Sequence, residues 1–183
     1  LDTPKAAEPI PRDDAFYYHF RVFKVEGYTF QIPLAVFTAE SPVFRDMLEL
    51  PVSSTQELEG LSDSNPICLD GILREDFRQL LRVIGPREFN FQPPKLSFNE
   101  WVSVLKLADL WCMDAVKEHA ISIMCCLPDV DPIEKIVVAR RYGIRSWLTP
   151  AFNAILRCSD SLSERHLQRL GAPTFFCLIR LRD

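Results

Sequence analysis

Glycine is scarce in this chain, with six among 183 residues. So few, mostly at the ends of periodic segments, leave no Gly-rich loop to cradle a phosphate. Histidine is scarcer still: His19, His119 and His166 stand in no nucleophile–base pattern. A Gly-x-Ser-x-Gly elbow is absent too, so the chain does not read as an enzyme. No apolar run approaches the roughly 18 residues that a membrane helix needs. Basic charge is not in excess: the net charge is −4 and the pI about 5.5, against a nucleic-acid footprint. The opening LDTPKAAEPIPRDD lacks the apolar core of a signal peptide, so an intracellular chain, in cytoplasm or nucleus, is expected. Its first residue is Leu rather than Met, the mark of a fragment or a processed chain. There is no repeat period and no low-complexity tract.

Cysteine is not lacking. Six are present, at 68, 112, 125, 126, 158 and 177. A chain this long folds without staples, so buried, reduced thiols are expected rather than a disulfide framework. Cys112, His119 and Cys126 recur every seven residues and share a helix face. Residues seven apart lie about 10 Å apart along a helix. Zinc holds its ligands at about 2.0–2.3 Å, so these three cannot meet on one ion, and no metal or cofactor is expected. Glu57, Glu59, Asp63 and Asp70 lack the spacing of a calcium loop and read as a solvated acidic segment. Arg140, Arg141 and Arg145 read as a solvated helix end, and Trp101, Trp111 and Trp147 as core.

The organising stretch is 28–50, YTFQIPLAVFTAESPVFRDMLEL. Tyr28, Phe30 and Ile32 alternate with polar residues, as in a strand with one buried face. Pro33 ends the alternation, and a short apolar run follows to Phe37. Ser41-Pro42 opens a second helix, with Ser as N-cap and Pro in the first turn. Val43, Phe44, Met47 and Leu48 form its apolar face, and Pro51 stops it. That placement leaves Arg45, Asp46 and Glu49 facing outward.

Upstream, 1–15 reads as a tail with three prolines and several charges. Residues 16–25, FYYHFRVFKV, read as a strand that Glu26-Gly27 turns into 28–32, a hairpin. Downstream, 51–66 reads as a loop and 67–69 as a short strand around Cys68. Phe77, Leu80, Leu81 and Ile84 mark a helix ended by Gly85-Pro86, and Phe89 and Phe91 anchor the Pro-rich link after it. Ser97 with Glu100 predicts a capping box before Trp101, Val104, Leu105, Ala108, Trp111 and Cys112. Asp114 is expected to cap the next helix, through Val116, Ala120, Ile123, Met124 and Leu127. Asp131-Pro132 starts another that runs to Gly143, and Ser146 a further one. Ser161 with Glu164 predicts a second capping box before Gly171, and 174–181 a last helix. A hairpin, a short third strand and helix after helix make a mainly helical α+β fold.

Phe30, Pro33, Ser41, Phe44 and Met47 stand as in the BTB/POZ domain: a hydrophobic strand, a loop, then a Ser-x-x-Phe helix. Glu59-Gly60, Asn65-Pro66, Asp76-Phe77, Glu100-Trp101, 104–107, Trp111, 134–136 and Trp147-Leu148 extend the likeness over about 16–183. The longer pattern resembles the BTB proteins abundant in mushroom-forming fungi. The resemblance implies a BTB/POZ-like core over 16–127 and an all-helical extension over 128–183. It implies a non-enzymatic protein-interaction module, an adaptor or self-associating scaffold. A substrate adaptor for a cullin ubiquitin ligase is the alternative, and an enzyme with an unrecognised site a second one. Two features depart from the family. The Pro-rich tail stands where dimeric members carry an N-terminal helix, which bears on a homodimer. Val52-Ser53-Ser54 stands where cullin-binding members carry an apolar-x-Glu motif, while Met47-Leu48-Glu49 fits that motif inside the helix. The expected partner surface is Arg45, Asp46, Glu49 and Val52, for another protein rather than nucleic acid or membrane.

Overall fold

In a computed structural model of the chain, the structure describes residues 10–13, 15–49, 58–85, 94–157 and 162–182. The chain divides into two compact units, Leu1–Arg74 and Glu75–Asp183.

The first unit is built on a hairpin. Strand β1 (Phe20–Val25) pairs antiparallel with β2 (Tyr28–Pro33), in the register Val25↔Tyr28 to Phe20↔Pro33. Glu26 and Gly27 both take positive φ, 46° and 81°, as the tight two-residue turn requires. A short strand, β3 (Ile67–Cys68), runs parallel to β1 on its other side, so the order is β2-β1-β3. Residues 16–19, read from sequence as strand, are not. The Asp13 carboxylate accepts the Ala15 and Phe16 amides at 2.9 and 3.0 Å, and the local turn takes donors a ladder would need.

Pro33 ends β2, and helices α1 (Leu34–Glu40) and α2 (Pro42–Glu49) follow. Ser41, fully buried, accepts the Phe44 amide at 3.3 Å. The aromatic rings of Phe23, Phe37 and Phe44 pack with centroids 4.6 to 6.0 Å apart. These three buried rings join α1 and α2 to β1 in one apolar cluster. Gly60 at φ 79° shows why 58–66 runs as it does. A Cβ there would lie 2.9 Å from Ile67 and 3.0 Å from Arg21, so only glycine lets its carbonyl reach the Val22 amide at 2.8 Å.

The second unit is helical. It holds α3 (Arg74–Ile84, from its second residue), α4 (Phe98–Leu110), α5 (Asp114–Cys126), α6 (Pro132–Tyr142), α7 (Arg145–Arg157), α8 (Glu164–Leu170) and α9 (Ala172–Arg182). The Ser97–Glu100 capping box forms as expected. Trp101, Val104, Leu105, Ala108 and Trp111 are buried behind it, while Cys112 is exposed at φ 53° in the corner to α5. Phe77 meets Trp111 edge-on at 6.1 Å, joining α3 to α4. Ile133, Ile136, Ala151, Ile155, Leu170 and Leu178 form a second buried cluster across α6 to α9.

Several sequence expectations shift at helix starts. Asp114 is the first helical residue of α5, not its cap; Met113 holds that place, and the carboxylate still faces the positive helix end. Helix α7 begins one residue before Ser146. The cap of α8 is Ser163, whose amide donates to His166 Nδ1 at 3.0 Å, so a histidine does what Glu164 was expected to do. Ser161, Pro51, Phe89 and Phe91 lie outside the described residues.

Candidate protein interface

Helix α2 carries three of the four residues expected to meet a partner. Phe44 is 2% exposed and pins one face. Met47 and Leu48 are half-buried. Val43, expected on the buried face, is 42% exposed in the first turn of α2. Arg45, Asp46 and Glu49 are all exposed. Arg45 is already engaged, donating to the Thr38 and Ala39 carbonyls of α1 at 3.0 and 3.4 Å. It satisfies acceptors that α1 leaves open at its C-terminus. The Asp46 and Glu49 side chains make no hydrogen bond or ion pair among the described residues. Val52 lies outside the described residues, as does Glu57 of the acidic segment.

A second apolar surface was not singled out from the sequence. Phe16, Tyr17, Tyr18 and Phe20 are 46 to 77% exposed, and Tyr28 is 54% exposed. Arg12 lies 4.4 Å above the Tyr17 ring and Arg74 4.1 Å above the Tyr28 ring. The signal was present in FYYHF, but alternation alone does not tell a half-buried strand from an uncovered one.

In the helical unit, polar groups that looked notable serve the fold. Glu100 Oε2 accepts the Ser97 amide at 2.7 Å, and Arg82 donates to Oε1 at 3.0 Å. The Ser97 amide first, and then the Ser97 hydroxyl and Arg82, hold the Glu100 carboxyl below its usual range. Lys106 pairs with buried Asp76 at 2.6 Å. Arg140, Arg141 and Arg145 are exposed, the first two in the last turn of α6, and Arg140 also donates to the Leu170 carbonyl at 3.0 Å and to Thr174 Oγ1 at 2.7 Å, tying α6 to α8 and α9. Burial pushes the Tyr142 hydroxyl up, and its oxygen has no partner among the described residues.

The cysteines overturn one expectation. Cys68, Cys112, Cys125, Cys126 and Cys177 are free as expected, but they are exposed, not buried; Cys158 lies outside the described residues. At the corner after α4 and the end of α5 the chain turns away from its core, which brings Cys112, Cys125 and Cys126 to the surface. Among the described residues no three His, Cys, Asp or Glu side chains gather to hold a metal. No helix among them is long and apolar enough to cross a membrane. A cleft of about 200 Å³ in the helical unit is lined by Cys125, Lys135, Ser146, Trp147 and apolar neighbours.

A small three-stranded sheet with a buried aromatic hinge, two short helices presenting a charged face, and helices thereafter describe a binding module. The model of the BTB/POZ domain family matches residues 21–126, more than half of the chain, and the chain belongs to that family. BTB/POZ domains are protein–protein interaction modules and are generally not enzymes. No curated protein matches the chain.

Proposed function

We propose that the chain works as an adaptor or self-associating scaffold that captures another protein on the outward face of α2 and the loop after it. Asp46 and Glu49 carry the reading: two exposed carboxylates without side-chain partners among the described residues, on a helix whose other face is pinned by Phe44. With Arg45 spent on α1, the surface is acidic, and a partner with basic side chains complements it. Residue Val52 and the polar sequence around it extend the surface. The family core occupies 16–127, after a tail at 1–15, and 128–183 is a helical extension that supports it. The protein works inside the cell. The likeness to the BTB proteins of mushroom-forming fungi is carried beyond the matched span by 134–136 and Trp147-Leu148.

Affinity purification with mass spectrometry tests this, comparing the native chain with Asp46→Lys plus Glu49→Lys. Loss of the same partners from the variant is the expected result; full retention removes this surface.

A cullin-adaptor role is the second reading, favoured by Met47-Leu48-Glu49 alone. At Val52-Ser53-Ser54 the expected Glu is missing. Its charge-assisted contact is worth roughly 1.5–3 kcal/mol, about ten- to a hundredfold in affinity. Calorimetric titration with a cullin N-terminal domain is therefore expected to show weak binding or none. A sub-micromolar Kd, lost on Glu49→Lys, moves the cullin reading to first place.

A further inference from the structure

We propose that the cleft between the end of α5, the start of α6 and the first turns of α7 is a binding site for a small apolar carboxylate: one ring or short chain bearing a single anionic group. The site lies wholly in the helical unit and does not rest on the α2 surface.

The cleft holds about 200 Å³. Its walls are mostly apolar: Val130 and Pro132 where the chain enters α6, and Pro150 and Ala154 along α7. A cavity of about 150 Å³ already takes a benzene ring, so one ring with a short substituent fits. The polar side chains on the walls are donors. Lys135 is half-buried, and its ammonium makes no hydrogen bond or ion pair among the described residues. The carboxylates nearest to it in sequence are engaged elsewhere: Asp131 accepts the Ile133 amide at 2.9 Å, and Glu134 pairs with Arg169. Asp129, exposed in the link before α6, does not line the cleft. Ser146 stands in the first turn of α7, where an N–H has no helical acceptor and the helix end is positive. Its amide and hydroxyl have no partner among the described residues. Trp147 is 5% exposed, yet its indole N–H is neither paired nor sealed in the core among them. The cleft, which Trp147 lines, gives that N–H its opening.

An apolar hollow whose polar side chains donate selects one kind of occupant. A cation would meet the lysine and, among the described residues, no carboxylate in the lining. A neutral apolar molecule would cover the lysine without pairing it, and desolvating an unpaired charge is costly. A carboxylate takes the ammonium and the N–H donors with its oxygens, while its ring or chain lies against Trp147 and Pro150.

Calorimetric titration of the full chain compares phenylacetate with its neutral isostere phenylacetamide. Alkylation kinetics at Cys125 locate the site, with Cys126, which is not in the lining, as reference. Phenylacetate is expected to bind with a Kd of about 1 mM or tighter, and the amide at least about tenfold more weakly. Bound phenylacetate is expected to slow alkylation at Cys125 and leave Cys126 unchanged. Lys135→Met is expected to erase the difference between acid and amide, and Lys135→Arg to keep it. Ala154→Trp, at an exposed position of α7, fills the cleft and is expected to abolish binding. No binding of phenylacetate, or equal affinity for acid and amide, overturns the proposal. So does binding that leaves Cys125 alkylation unchanged, or a preference for the acid that survives Lys135→Met. Protection of Cys125 by the peptide Gly-Gly-Phe but not by phenylacetate also overturns it, since the occupant would then be a protein C-terminus. The acid–amide comparison and the alkylation use the native chain and hold even if a variant fails to fold.

Discussion

Phe44 shows how much one side chain decides here. It stands in the Ser-x-x-Phe pattern, its amide is taken by buried Ser41, and its ring meets both Phe23 and Phe37. Removing it leaves a cavity that two aromatic neighbours cannot close. Trp101 has a matching place behind the capping box of α4, 3% exposed. Phe44→Ala and Trp101→Ala are each expected to cost about 3–5 kcal/mol, read from denaturant unfolding. Melting like the parent in both variants would misplace the core. Both residues were legible in the sequence because helical spacing points a large ring inward. Val43 was not, because position in the first turn depends on which way the helix is rotated against its neighbours.

The elements are held at their ends as much as along their faces. Glu100 closes α4 against Ser97. Because the folded state holds its carboxyl low, Glu100 contributes stability above its unfolded value of 4.5, and that contribution is lost as pH falls through the lowered value. Ser97→Ala is expected to cost about 1 kcal/mol at neutral pH. The melting difference between the native chain and Glu100→Gln is expected to shrink as pH is lowered from 7 into the acid range below 4.5; a difference that stays constant would detach the cap from the charge. The capping signals at Ser97 and Asp131 were readable, since each motif is completed within four residues. At α8 the reading moved by two residues to Ser163 with His166, because several polar residues in a row offer competing caps and packing of Leu170 selects one. The contacts of exposed Arg140 were not readable for a related reason: Leu170 and Thr174, which it reaches, are thirty and more positions away.

Over the whole molecule, exposed thiols are the property with the plainest consequence. Five of the six cysteines are described, and all five are exposed. A native, reduced sample is expected to yield at least five fast-reacting thiols with a water-soluble aromatic disulfide reagent. Recovery of only one or two would show that the surfaces bearing them are covered, as an interface would cover them. Local order along this chain followed from residue pattern: alternation, helical spacing, caps and turn residues act between neighbours, so the hairpin, the Ser41 helix and the run of later helices could be read without coordinates. The class of the protein followed as well, since that order of elements with Phe30, Pro33, Ser41, Phe44 and Met47 is carried by the chain itself. Exposure did not follow. Whether a cysteine, an aromatic strip or a strand edge meets solvent depends on which distant segments cover it, and only the folded chain brings those segments together. Thr29 and Gln31 are ordinary strand residues in sequence; the β2-β1-β3 order puts β2 at the margin and leaves their backbone without a partner among the described residues.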